Sequence, residues 1–518
     1  MAAQGRVTST MQNLLELLDH AAATHGGKTC AVCAETGRTL SFSDLREQAR
    51  RIAAALSQRF GIQPGQHVAL LVPNCLEFPP AYFGILGAGA VAVPINARLK
   101  PAELEFILAN SDARALFVHP RTWSVAEEAL RKVPGLRNLI AVGFAEDKIP
   151  PGAVSFAALT ADSALIPGPS PRGRGDDVAA IIYTSGTTGR PKGAMLTHAN
   201  VLFNIQATKA GHGLRADDVH LLVVPLFHVT GLNTIMPTAL EQGGTLVISS
   251  RIDPEDLLDT IARHHCTTFF GVPTTFYLLT NLKAPPREKL SSLRLVCYSG
   301  APMSRQTIGK LRELLPGVEL HNFYGLTETT SCTTVLEDAQ ALARAESVGR
   351  APPGLELRIV DDQDRPLPAG QVGELCIRGP AVFKGYYQRR EATAEALRGG
   401  WFHTGDAAYL DAEGYVFLQG RKKELVIVAG ENVYPIEVEN VLCAHPAVQE
   451  AAVFGREDAA LGEVVHAAVV LRAGAVATER ELRAFASERL AAFKVPRTVR
   501  ILDKLPRNPS GKVMKRDL

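Results

Sequence analysis

The chain has 518 residues, 46% apolar and 21% charged, with Lys+Arg 55 against Asp+Glu 53. That length suits about two to four domains, and the near-neutral balance excludes a nucleic-acid or polyanion binder built on net charge. The start, MAAQGRVTSTMQNLLELLDH, lacks a charged head followed by an apolar stretch, so no secretory leader is expected.

In chain order, residues 29–34 read as an apolar strand before the turn Thr36-Gly37. Cys30 and Cys33 inside it read as buried, reduced thiols, because no second ligand pair follows at zinc spacing. Residues 78–95 are uncharged but broken by prolines and glycines. They are expected as a buried helix, 81–88, and a buried strand, 90–93, rather than a membrane span. Residues 101–110 are expected as a helix, with Pro101 at its first position and Leu104, Ile107 and Leu108 on one face. A strand over 115–118 follows. The charged, Gly- and Pro-rich stretch 167–177 reads as an exposed connection, and 178–182 and 293–298 as buried strands.

From Pro352 to Tyr387 the texture changes. Short β-like pieces, 356–360 and 373–377, alternate with turns and suit a small barrel-like element. Beyond a charged kink at 420–423 come a strand at 425–428 and a helix from Pro435 with Val438, Val441 and Leu442 on one face. Strands at 451–454 and 466–471 follow. A Thr478/Glu481 capping box then opens the helix carrying Leu482 and Phe485. The expected fold is α/β. A large N-terminal domain, 1–419, holds two layered α/β subdomains plus the barrel-like element. A mobile, small α+β C-terminal domain, 420–518, completes the chain.

The loop after residues 178–182 carries the chemistry. Tyr183 to Gly193 reads YTSGTTGRPKG. Gly186 and Gly189 let backbone approach a ligand closely. Thr184, Ser185, Thr187 and Thr188 add hydroxyls among the backbone N–H groups, and Lys192 adds a mobile positive charge. Together they suit a polyphosphate, although the spacing is not that of a Walker A loop.

That string resembles the phosphate loop of the adenylate-forming enzymes: acyl-CoA synthetases, peptide-synthetase adenylation domains and firefly-type luciferases. The other motifs of that superfamily follow in order over essentially the whole chain. Tyr324-Gly325-Leu326-Thr327-Glu328 resembles its YGxTE motif. The resemblance implies that Thr327 donates to phosphate, that Glu328 holds Mg²⁺, and that Tyr324 lies along adenine, with Asn322 and Gly325 among the nucleotide-binding residues. Ser299, Gly300 and Ala301 would approach the adenine and the acyl carbonyl. Thr404-Gly405-Asp406 is similar to the ribose-binding TGD motif, with Arg421 as a second ribose contact and Lys423 as the hinge position. Lys512, in the tail sequence PSGK, would bridge the substrate carboxylate and the α-phosphate and drive adenylation. Gly430 opens a segment that would line the pantetheine tunnel, and Lys494 would meet a CoA phosphate. His228 resembles the histidine at the carboxylate gate.

The implied activity is that of an acid–CoA ligase using ATP, Mg²⁺ and coenzyme A. Carboxylate and ATP give acyl-AMP and pyrophosphate; the small domain then rotates about Lys423, and the CoA thiol takes the acyl group and releases AMP. The stretches that would line the acyl pocket, 225–233, 271–279, 298–303 and 329–333, contain no lysine or arginine. An uncharged, mainly apolar acid, fatty or aryl, is therefore expected, since a second carboxylate wants a buried cation. The polar run Thr329-Thr-Ser-Cys-Thr-Thr334 hints at a medium chain or a ring bearing a polar group. Competing readings are an adenylation enzyme that loads a carrier-protein thiol, a luciferase-like oxidase, and a non-catalytic nucleotide- or acyl-binding protein. Intact Lys192, Glu328, Asp406, Arg421 and Lys512 weigh against the last. The expected partners are the acid, ATP and CoA, with no nucleic acid and no transmembrane segment. A peripheral membrane contact stays open. The expected location is cytoplasmic, and the expected state monomer or homodimer.

Overall fold

The computed structural model describes residues 11–165, 173–184, 191–282, 287–301, 303–429, 431–458, 461–508 and 513–518. The chain forms two compact units: Met1–Glu356 with Arg378–Phe402, and Leu357–Ile377 with His403–Leu518.

The first unit holds two eight-stranded sheets. One runs Thr334–Leu336, Glu319–Tyr324, Leu295–Tyr298, Thr268–Gly271, Val219–Leu222, Thr245–Ile248, Thr29–Cys33, Thr39–Ser41. Its interior pairs are parallel and both edge strands antiparallel. The other runs Gly385–Tyr386, Lys192–Thr197, Val178–Thr184, Val91–Pro94, His67–Leu71, Ala113–Val118, Asn138–Ala141, Val154–Ser155. Val91–Pro94 and Leu295–Tyr298 are buried at every position, because helices on both faces of a parallel sheet leave no solvent side. The helix Leu14–His25 packs on Phe42–Ala54, Phe78–Gly87, His198–His212 and Met236–Gln242, and so ties together helices that serve both sheets.

The helix Pro101–Asn110 forms as its pattern predicts, with Leu104, Ile107 and Leu108 buried. The uncharged stretch becomes the helix Phe78–Gly87 and the strand Val91–Pro94. The helix starts at Phe78 rather than Ala81 because Pro79 and Pro80 occupy its first turn, where their missing N–H groups leave no hydrogen bond unmade. Among the described residues no helix is long and apolar enough to cross a membrane. Cys30 donates to the Leu40 carbonyl at 3.2 Å and Cys33 to Glu35 at 3.4 Å, so each thiol has its own partner. Burial pushes the Cys30 thiol up to about 12.

In the second unit, one sheet places Val416–Arg421, Phe402–Leu410, Gly373–Arg378 and Glu356–Val360 side by side. The rest is α+β. A hairpin of Val448–Asp458 and Gly462–Leu471 takes Thr498–Ile501 in parallel. The helices Pro435–Cys443 and Glu479–Ser487 bury Val438, Leu442, Leu482 and Ala486 against it. The hairpin is longer than its apolar pattern suggests. Arg456, Glu457 and Asp458 interrupt the pattern, while backbone pairing continues from Arg456↔Val464 to Asp458↔Gly462. The Thr478/Glu481 capping box forms.

Candidate active site

Open α/β sheets bind ligands beyond the carboxyl ends of their strands. Thr184, Tyr298 and Tyr324 each end such a strand. Lys192 begins the strand Lys192–Thr197 and pairs with Thr184 across an antiparallel ladder. Thr184 and Lys192, the described residues nearest either side of the phosphate loop, are thus held together, and the Thr184 hydroxyl donates to the Lys192 carbonyl at 3.4 Å. This second strand was missed in the sequence, where Lys192 read only as the end of a loop; the short apolar run Ala194-Met195-Leu196 was the available signal. A Cβ on Gly193 would lie 2.6 Å from Ile181 Cγ2 and against the Tyr183 ring, so only glycine lets the two strands close. Ser185, Gly186, Thr187, Thr188 and Gly189 lie outside the described residues.

Glu328 sits in the 3₁₀ turn Thr327–Thr329 and is 9% exposed. The Tyr386 hydroxyl donates to Glu328 Oε1 at 2.8 Å, and the Phe383 N–H donates to the Glu328 carbonyl at 2.8 Å. Lys192 Nζ lies 5.1 Å from the Tyr386 ring centroid, within cation–π range. Tyr386 therefore joins the candidate phosphate lysine to the candidate metal carboxylate. Sequence reading missed it, since GYY in a turn-rich stretch carries no chemical signal by itself.

The backbone around Glu328 is strained. Thr330 and Ser331 take φ of 58° and 90°, and Gly325 is so close that a Cβ there would lie 1.2 Å from the Ser331 carbonyl oxygen. The hydroxyls of the polar run are spent on this turn. Thr329 accepts from the Leu326 N–H at 2.9 Å, Thr330 donates to the Ala381 carbonyl at 2.7 Å, and Thr333 donates to Thr329 at 2.7 Å. Ser331 pairs with Thr230 at 3.1 Å. The run's hydroxyls are thus engaged within the protein.

On the acyl and adenine side, Ser299 and Ala301 flank Gly300, whose φ of +85° turns the chain at the strand end. Asn322 is buried and donates to the Ser347 carbonyl at 3.1 Å. His228 precedes the π-helical turn Thr230–Ile235, and burial, then the Arg98 cation, hold its imidazole below the usual pKa. Arg305 pairs with Glu346 at 3.8 Å on the surface, where it is 58% exposed. Asn233, at the end of the first acyl stretch, is fully buried, and neither polar atom of its carboxamide has a hydrogen-bond partner among the described residues.

In the second unit, Asp406 and Arg421 face each other across an antiparallel pair. Arg421 Nε donates to Asp406 Oδ1 at 2.9 Å, and another guanidinium nitrogen donates to the Thr404 carbonyl at 2.9 Å. Gly405 takes a φ of +70° between them. The two candidate ribose groups, fifteen positions apart (421−406), are thus one assembly. Lys423 lies in the 3₁₀ turn Lys422–Glu424. Lys494 Nζ is held by both Glu437 oxygens, at 2.7 and 2.8 Å, which spends its charge inside the unit. Gly430 and Lys512 lie outside the described residues.

The AMP-binding enzyme family matches residues 18–387, and the AMP-binding enzyme C-terminal domain matches 437–512. The long-chain-fatty-acid–CoA ligase of Escherichia coli O6:H1 is 35% identical over 98% of this chain and 94% of its own. The feruloyl-CoA synthase of an Amycolatopsis species is 37% identical over 92% of this chain and 93% of its own. ATP-bound MatB from Rhodopseudomonas palustris superposes with a TM-score of 0.88 at 32% identity, covering 98% of each chain.

Proposed function

The chain belongs to the AMP-binding enzyme family and is an AMP-forming acid–CoA ligase using ATP, Mg²⁺ and CoA, and we propose that its acid is an uncharged fatty or aryl monocarboxylate. One observation carries the acid class. The four acyl stretches hold no lysine or arginine, and Arg305, the cation next to them in sequence, is drawn to Glu346 at the surface. Burying a second carboxylate without a partner would cost several kcal/mol. The similar ligases named for a long-chain fatty acid and for a feruloyl group fall in the same class.

We assign the roles as follows. Glu328 fits Mg²⁺, because a buried carboxylate aimed by Tyr386 is the hard oxygen donor that ion prefers. The bound ion supplies positive charge against the phosphates that would otherwise repel the incoming carboxylate. Lys192 and Thr327, with Thr184, Ser185, Gly186, Thr187, Thr188 and Gly189, hold the β- and γ-phosphates. Lys512 stabilises charge developing between carboxylate and α-phosphate. Tyr324, Ser299, Gly300 and Ala301 hold adenine. Asp406, oriented by Arg421, accepts from the ribose hydroxyls. His228, kept neutral by its surroundings, offers an N–H to the carboxylate without adding charge. The Gly430 segment receives pantetheine. The acyl-adenylate is already an activated mixed anhydride, so thioester formation needs no side-chain nucleophile. We place the enzyme in the cytoplasm, as a monomer or homodimer.

The test is pyrophosphate release from ATP and Mg²⁺ over fatty, aryl and dicarboxylic acids, each with and without CoA. Release with one monocarboxylate class, and a thioester once CoA is added, is the expected result. Preference for a dicarboxylate would overturn the acid class, and release with no thioester would point to a carrier-protein thiol.

A further inference from the structure

His212, Cys297 and His321 bring one ligand atom each to within 4.8 Å of one another, deep in the first unit. Their exposures are 0%, 0% and 6%. They come from three separate elements. His212 lies in the last turn of the helix His198–His212, and Cys297 and His321 lie opposite each other on neighbouring parallel strands. His212 Nδ1 is 3.1 Å from His321 Nδ1 and 3.5 Å from Cys297 Sγ. A tetrahedral zinc ion with ordinary bond lengths would set a second nitrogen about 3.3 Å, and a sulfur about 3.5 Å, from the first nitrogen. The separations found are close to those edges.

We propose that these three side chains form a structural zinc site outside the substrate machinery. Imidazole nitrogens and a thiolate select a borderline-soft ion over Mg²⁺, so the reaction's own metal does not compete for it. His321 Nε2, the ring nitrogen turned away from the trio, lies 3.8 Å from the Glu319 carboxylate, beyond hydrogen-bond distance. Phe270 and Phe323 pack edge-on against His212, at 5.6 and 5.5 Å between ring centroids, and keep the surroundings apolar. The ion would fasten the end of one helix to two strands that finish at Tyr298 and Tyr324, just before the residues assigned to adenine.

The competing arrangement is a metal-free trio joined by hydrogen bonds, and metal content separates the two. The full chain, without an affinity tag that binds metal, is produced with zinc or with cobalt in the medium, and its metals are measured after dialysis. About one zinc per chain is expected. The cobalt form should show a thiolate-to-cobalt charge-transfer band that disappears in Cys297→Ser and persists in Cys33→Ser. Wild-type protein without zinc and without that band overturns the site. So does zinc retained in full by Cys297→Ser, or a band lost in Cys33→Ser. If Cys297→Ser does not fold, His321→Gln takes its place: an unchanged band and zinc content there would equally overturn the proposal.

Discussion

The Tyr386 hydroxyl donates to Glu328 Oε1 at 2.8 Å, while the same ring lies 5.1 Å beneath Lys192 Nζ. One phenol therefore fixes the orientation of the carboxylate assigned to Mg²⁺. A hydrogen bond to a charged group contributes roughly 1.5–3 kcal/mol. Tyr386→Phe keeps the ring and removes only the donor. It should raise the Mg²⁺ concentration needed for half-maximal adenylation about tenfold and leave the melting temperature nearly unchanged. Titrating Mg²⁺ in a pyrophosphate-release assay checks this, and an unaltered Mg²⁺ dependence would remove Tyr386 from the metal site.

Lys512 is assigned to the first half-reaction alone. Removing one group that stabilises transition-state charge typically costs about 10²–10³-fold. Lys512→Ala should therefore lose acid-dependent pyrophosphate release by that order. The same variant, supplied with synthetic acyl-AMP and CoA, should form thioester at close to the wild-type rate. Equal losses in both assays would assign Lys512 a general structural role instead.

How far the sequence could be read depended on how local the determinant was. The helix Pro101–Asn110 and the Thr478/Glu481 cap rest on residues within one turn of each other, and both were legible. The phosphate loop, Glu328, Asp406 and Arg421 were legible only because their strings resemble a family. The contacts that aim them were not legible: Tyr386 reaches Glu328 across 58 positions, and His212 reaches His321 across 109. The polar run after Glu328 shows the same limit. Its hydroxyl partners include Ala381, 51 positions away, and composition cannot show that they are satisfied. The long hairpin Val448–Asp458 was under-read because backbone pairing outlasts the apolar pattern where the first strand becomes charged at Arg456, Glu457 and Asp458.

Gly325 should tolerate no side chain. Its missing Cβ is replaced by the Ser331 carbonyl at 1.2 Å, and Ser331 is already at a φ of 90°. Gly325→Ala must displace the whole turn carrying Thr327 and Glu328. A cost of about 3 kcal/mol or more is expected, from the class of severe backbone effects. A lowered melting temperature together with lost ATP binding, measured calorimetrically, checks it. Gly309→Ala makes the control, since a Cβ there meets nothing within 4 Å.

Buried histidines should make the fold sensitive to acid. Burial holds His198 and His220 near pKa 4, against 6.5 as the ordinary value, and they are 5% and 1% exposed. Between those two values the unfolded chain binds more protons than the folded one, so stability falls as pH drops from 6.5 toward 4 and is recovered above 6.5. Each residue accounts for a loss on the order of 3 kcal/mol over the full window. His220→Gln should flatten the fall in urea midpoint between pH 7 and pH 4.5. A wild-type midpoint that does not move over that range would contradict the account.

Asn233 gives the acid class a finer test. A fully buried carboxamide with neither atom partnered among the described residues carries a penalty of about 1–3 kcal/mol. A hydroxyl or carbonyl on a ring would relieve it and an alkyl chain would not. Asn233→Leu removes the penalty at similar volume and should raise stability by about 1 kcal/mol. The same change should shift the ratio of kcat/KM values for a hydroxyaryl acid over an unsubstituted alkyl acid toward the alkyl acid, by about tenfold. Rising stability with an unchanged ratio would place the carboxamide away from the substrate. A shift of the ratio toward the alkyl acid would make Asn233 the residue that distinguishes a substituted ring from a chain, a distinction the absence of lysine and arginine alone cannot draw.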